Sequence, residues 1–314
     1  MITTLGAMQL SRIKNQIIDG LQPGVRPRVR PLARSWVLVL AVTLLAGCSS
    51  VRLAYSNASQ LGWWWLDGYF DFSREQAPQV KQALDGLFDW HRATQLPEHA
   101  ALLARTQAPI LEPTTPAQTC RWQAEVREQL EPLLQRALQL AAEQVPGLTE
   151  AQLRHLEQRY AKGIDEMRGD FLQDDPGERL TQSVKRAVER AERLYGRLDE
   201  AQRRLVRSGV IDSPFDPALW LKERQRRQRE VLVTLRRLVA ERADADQRLA
   251  ALRMLLVQTE RSPDPVYRAY QLKLGEYNCG FAARIHNATT PAQRLKARET
   301  LKGWEDDLRA LMAP

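Results

Sequence analysis

The chain has 314 residues, 44% hydrophobic and 27% charged, with a formal net charge of +8, a composition too apolar for disorder. The charge excess sits at the front: residues 1–47 hold six basic residues and one acid, and the remaining 267 carry 40 Lys+Arg against 37 Asp+Glu, or +3. That removes the footing for nucleic-acid binding, which calls for a basic domain rather than a basic leader, and leaves enough chain for one large helical domain with an ample core.

Trp36 to Leu45 form an uncharged apolar run directly behind Arg26, Arg28, Arg30 and Arg34, a basic n-region followed by an h-region. A helix of that length rises only ~15 Å against a hydrocarbon core of ~30 Å, so the run reads as a secretion signal rather than a permanent span. Residues 1–25 make the stretch ahead of it long, as a start further downstream would explain. The run ends in Leu45-Ala46-Gly47-Cys48, which resembles the lipobox of bacterial lipoproteins. The resemblance implies cleavage after Gly47 and three acyl chains, palmitate among them, on Cys48. At ~0.8 kcal/mol per buried methylene such a group is an effectively permanent anchor. Ser49, rather than Asp, after the cysteine implies passage to the outer membrane and residence on its periplasmic face. The expected organisation is a signal peptide over 1–47, a lipidated cysteine and tether over 48–62, and a single helical domain over 63–314.

Beyond the leader the dominant signal is amphipathic helix with a recurring start. Thr114-Thr115-Pro116-Ala117-Gln118, Leu148-Thr149-Glu150-Ala151-Gln152, Leu198-Asp199-Glu200-Ala201-Gln202 and Thr289-Thr290-Pro291-Ala292-Gln293 each place Thr or Asp at the N-cap and Gln three residues later. The cap oxygen accepts a free first-turn amide and the Gln reaches back to the cap amide. Ser73-Arg74-Glu75-Gln76 reads the same way. Between starts, Leu180, Val184, Val188, Ala191, Leu194 and Leu198 recur at three- and four-residue steps, and alternating strand patterns are absent. Breaks fall at Pro97, Pro109 to Pro116, Pro146-Gly147, Asp174 to Gly177, Ser213 to Pro217 and Ser262 to Pro265. The expected fold is all-α, an irregular multi-helix bundle of about eight to eleven helices. The similar starts lie 34, 50 and 91 residues apart, which does not fit a solenoid of equal units.

Trp63-Trp64-Trp65-Leu66-Asp67-Gly68-Tyr69-Phe70-Asp71-Phe72 lies about 15 residues from Cys48. Trp63, Trp64 and Trp65 could seat the domain against the bilayer interface, or the short helix carrying them could pack into the bundle. Glu223 to Glu230 carries four arginines, open to lipid headgroups or an acidic partner, but its glutamates at helical spacing suit a solvated helix face. With Cys48 acylated, Cys120 and Cys279 are the remaining thiols in an oxidising compartment. The expectation is a disulfide joining the helix begun at Thr115 to the helix after Pro265, against the alternative of two separately buried free cysteines. His91, His99, His155 and His286 show no paired i, i+4 spacing, so no metal and no cofactor is expected. Neither a nucleophile elbow nor a phosphate-cradling glycine loop occurs, and a non-enzyme is expected.

The Trp63 to Phe72 block, Thr114 to Cys120, the Val184 to Gln202 helix and turn, Ser213 to Pro217, Tyr277-Asn278-Cys279 and His286 to Arg294 together resemble an uncharacterised family of proteobacterial lipoproteins, domain of unknown function 6279. The resemblance implies a helical fold and an envelope location, with nothing catalytic. Leu148-Thr149-Glu150-Ala151-Gln152 also resembles the Leu-Thr-x-x-Gln motif of periplasmic stress chaperones, which a capping box alone explains. The leading expectation is a non-enzymatic scaffold or adaptor anchored to the outer membrane, with unidentified envelope proteins as partners, no nucleic acid and no small-molecule substrate. A membrane-tethered holdase is the alternative and an enzyme of unseen class the third reading.

Overall fold

The computed structural model describes residues 50–312. Among them are twelve α-helices, two short 3-10 turns and no strand. The helices are α1 (Ser50–Ser56), α2 (Ala58–Phe70), α3 (Ala77–Thr94), α4 (Leu96–Thr106), α5 (Pro116–Gln144), α6 (Glu150–Phe171), α7 (Pro176–Tyr195), α8 (Glu200–Ile211), α9 (Pro217–Ala240), α10 (Ala245–Glu260), α11 (Pro265–Asn287) and α12 (Pro291–Met312). The all-α expectation holds, with one helix more than the upper bound. The 48–62 tether is corrected: the chain is helical from Ser50. Tertiary contacts fix α1 there, since Arg52 Nε reaches Asp307 at 2.8 Å and the Tyr55 hydroxyl bonds His91 Nδ1 at 2.7 Å.

The capping starts form as their spacing requires. Thr115, Thr149 and Asp199 each accept from the backbone amide three residues on while that residue's Gln side chain accepts the cap amide. Ser73 with Gln76 and Thr290 with Gln293 make the same pair of bonds. Sequence reading missed a sixth box, Asp244 with Gln247.

Six boxes expose an order that five did not. Ser73, Thr115 and Thr149 are followed by Asp199, Asp244 and Thr290 at offsets of 126, 129 and 141 residues. The same contacts recur in the two sets. α2 packs on α3 and α6 in the first half, α7 on α8 and α12 in the second, and each half lends one helix to the other: α4 packs on α12, α9 on α6. α5 answers to α10 and α11 together, the split at Pro263 and Pro265 accounting for the longest offset, and lies against both. The expectation of an irregular bundle is thereby refined: two similarly arranged halves exchange helices, and unequal spacings hide the period.

The cores follow the same correspondence. In the first half Phe72, Val80 and Leu84 pack with Trp63; at the same distances from the second-half start, Leu198, Val206 and Val210 pack with Val188 and Ala191. Leu156, Tyr160 and Tyr69 belong to the largest core, and their counterparts Ala297, Leu301 and Tyr195 form another. Where α8 meets α11, a Cβ on Gly209 would collide with the Phe281 ring, so glycine there permits the close approach.

Candidate functional site

Two pairs of helix starts face each other, and at each the capping glutamines close a ring. Gln202 Nε2 donates to Gln293 Oε1 at 2.7 Å and Gln293 Nε2 returns to Gln202 Oε1 at 2.9 Å. The remaining amide protons go to the backbone carbonyls two residues ahead of the opposite cap, Ala288 for Gln202 and Arg197 for Gln293, at 2.9 and 3.0 Å. The same wiring joins Gln76 and Gln152, with Gly147 and Asp71 as the carbonyls, at looser distances of up to 3.4 Å. Each oxygen also accepts its own cap amide. Every donor and acceptor of these four amides is therefore used, as the burial of Gln152 and Gln202 demands. These clasps hold the ends of helices together; capping arithmetic finds each glutamine but not its partner.

Cys120 and Cys279 are joined in a disulfide, with Cα atoms 5.2 Å apart across a sequence separation of 159. It links α5 to α11 as expected, and beside it the Thr119 hydroxyl donates to the Cys279 carbonyl at 2.7 Å. Cys48 and the residues Leu45, Ala46 and Gly47 lie outside the described residues. No described helix is long and apolar enough to cross a membrane.

The tryptophan block divides. Trp63 is buried, stacked on Phe72 at 5.8 Å with Lys81 Nζ 4.7 Å over its ring. Trp64 is 59% and Trp65 45% exposed. One residue therefore follows the packing alternative, while the other two leave their rings to solvent. Trp65 leans on Tyr69 at 4.9 Å, and Tyr69 meets Tyr160 edge-on at 6.1 Å.

The basic run on α9 departs from a uniformly solvated face. Glu223 is buried and holds Arg226 and Arg227 at 2.8 and 3.0 Å; burial works against its charge, and those guanidiniums with Ser262 nevertheless keep its carboxyl below the usual range. Arg224 is half-buried and its charge is opposed first by burial.

The histidines are structural in geometry. His91 sits under Tyr55, its ring 5.3 Å from His99, and burial lowers its pKa to about 4. His286 takes the Tyr195 hydroxyl at Nδ1, 2.8 Å, and the Glu112 carbonyl at Nε2, also 2.8 Å. Burial lowers His286 and pushes the Tyr195 phenol up to about 12. Nε2 of His155 lies 3.3 Å from the Gly68 carbonyl. Among the described residues no group of three or more His, Cys, Asp or Glu side chains could hold a metal. An open groove of about 580 Å³ runs between α8 and α11, lined by Arg204, Ser208, Asp212, Tyr277 and Arg284.

A model of a family of unknown function, DUF6279, matches residues 68–268. The chain belongs to that family. The DUF6279 match contains the Gln76–Gln152 clasp entire, but of the second clasp only Gln202, and of the disulfide only Cys120. No curated protein and no solved structure matches the chain.

Proposed function

We propose that this DUF6279 chain is a proteobacterial lipoprotein, held on the periplasmic face of the outer membrane by acyl groups on Cys48, and that its helical domain acts by binding envelope proteins rather than by catalysis. The observation that carries the reading is how near to Cys48 the described helical structure reaches. α1 begins at Ser50, two residues after Cys48, and is pinned by Arg52 and Tyr55. Two extended residues span about 7 Å, so an acylated Cys48 holds the bundle directly on the bilayer with no arm to swing on. Such a protein presents its body to partners at the membrane surface. Met254, Val257, Val266 and Leu272, each more than half exposed on α10 and α11, offer apolar contact to such partners.

Photocrosslinking residues placed at Met254 and Val266 in living cells test this. A discrete crosslink to the same envelope protein from both positions, absent when the probe sits at exposed Lys185 on α7, is the expected result. A smear of many unrelated proteins would instead mark a holdase, and no crosslink from either position would remove the binding surface from the proposal.

A further inference from the structure

The two halves of the fold treat equivalent tyrosines differently. Tyr195 stands four residues before the Asp199 cap, and its hydroxyl is closed off by His286. Tyr69 stands four residues before the Ser73 cap; the position answering to His286 is Val145, which offers its hydroxyl nothing. Around Tyr69 the fold gathers cations instead. The Arg159 guanidinium lies 5.4 Å over the Tyr69 ring. Arg224, reaching in from α9, is close enough for Tyr69 and Tyr160 to act on its charge.

Both arginines have a buried Nε with no hydrogen-bond partner among the described residues. Of the carboxylates on the same helices, Glu150 and Glu157 pair with Arg236, Asp165 with Arg168, and Glu223 with Arg226 and Arg227. Two half-buried guanidiniums with no ion pair among the described residues are costly, and their forked donors beside two phenols are suited to oxygen acceptors of a phosphate. Trp65, packed on Tyr69 and 45% exposed, extends this cluster toward the exposed Trp64. Tryptophan and tyrosine favour the water–lipid boundary, and arginine pairs with anionic headgroups there.

We propose that Arg159, Arg224, Tyr69 and Tyr160, with Trp65 beside them, form a binding site for the phosphodiester headgroup of an anionic phospholipid in the leaflet that carries the Cys48 acyl chains. The proposal rests on the anchored reading above. A lipid headgroup is favoured over a free phosphate because only 17 residues separate Trp65 from Cys48 and most of them are already folded in α1 and α2. Trp65 and Tyr69 thus lie on the segment that an acylated Cys48 draws to the membrane, and Arg159 and Arg224 reach Tyr69 from α6 and α9. The site would fix which face of the bundle meets the bilayer, something a single acylated residue leaves free.

The test uses residues 48–314 carrying Cys48→Ala, which contain the whole compact unit from Ser50 onward, sedimented with phosphatidylcholine vesicles with and without phosphatidylglycerol. Binding is expected only with phosphatidylglycerol. A basic residue near an anionic surface is worth about fivefold in binding, so Arg159→Gln with Arg224→Gln should weaken it about thirtyfold. Tyr69→Phe with Tyr160→Phe keeps the rings, removes both phenol donors and should weaken it severalfold. The double Gln variant gives up the Arg159 contact over the Tyr69 ring, so its thermal unfolding is measured alongside; weakened binding by a variant that still unfolds cooperatively reports the site rather than lost folding. Equal binding by parent and double Gln variant, or equal binding to both vesicles, overturns the site. An Arg-dependent rise in thermal midpoint with inorganic phosphate, without vesicle binding, assigns the cluster to a free anion and overturns the lipid assignment. The acylated chain bearing both Gln substitutions should still fractionate with membranes; its loss from them would count against the anchor, independently of the headgroup site.

Discussion

Gln202→Ala should be among the costlier single side-chain truncations in this fold, and the reason is its position in a closed ring. The Gln202 side chain takes part in four hydrogen bonds, to the Asp199 amide, the Ala288 carbonyl and twice with Gln293, and it is only 6% exposed. At a net ~0.5–1.5 kcal/mol per bond, with the partners only partly buried and open to water once freed, the loss is about 2–4 kcal/mol. For a domain of this size that moves the thermal midpoint by roughly 2–4 °C per kcal/mol. Gln293→Ala should cost a similar amount. The double variant should cost about 1–2 kcal/mol less than the sum, because the two glutamine–glutamine bonds are lost once rather than twice. Urea unfolding of the parent, both singles and the double supplies the cycle. The Gln76–Gln152 clasp, with its longer bonds, should show the smaller coupling. Singles below about 0.5 kcal/mol that add without coupling would refute a structural role for the clasps.

Reduction of the Cys120–Cys279 bond, or replacement of both cysteines by Ser, should lower stability by up to about 5 kcal/mol by the chain-entropy model for a 159-residue separation; thiol labelling of denatured, unreduced protein should find neither cysteine free. His91 provides a pH dependence. Its folded pKa of about 4 lies below the unfolded value near 6.5, so the unfolded chain binds more protons between these values. The stability contributed by neutral His91, on the order of 3 kcal/mol, is therefore present above pH 6.5 and lost as pH falls toward 4. His91→Gln should flatten the urea-midpoint profile between pH 7 and 4.5, and an unchanged slope would locate the titration elsewhere.

Much of the fold is local and was therefore legible. Thr115, Thr149, Asp199 and Thr290 announce their helices through bonds made within four residues, and Pro217 and Pro265 sit where helices begin. The two-half arrangement was hidden because Asp244-Ala245-Asp246-Gln247 lacks the Pro-Ala or Glu-Ala pair that precedes the glutamine in the other Thr and Asp starts, and because α5 corresponds to two helices. The tether was misjudged since Ser50–Ser56 is too short to be stable by itself and is helical through contacts with residues 36 and 255 positions away. The cysteine pair was readable from number, given the expected oxidising compartment. The Arg159–Arg224 cluster was not: its members lie on α6 and α9, and only their shared approach to Tyr69, together with unpaired Nε atoms, distinguishes them from ordinary surface arginines.

The most direct test of a lipid-held, membrane-apposed bundle is the distribution of Cys48→Ala between membrane and soluble periplasmic fractions after signal cleavage. Parent chain should fractionate with the outer membrane, its precursor accumulating when lipoprotein signal peptidase is inhibited, and processed Cys48→Ala should be recovered in the soluble periplasm. Any residual headgroup contact should be released by raised salt. Processed Cys48→Ala that stays in the outer membrane through a high-salt wash would contradict an acyl anchor at Cys48.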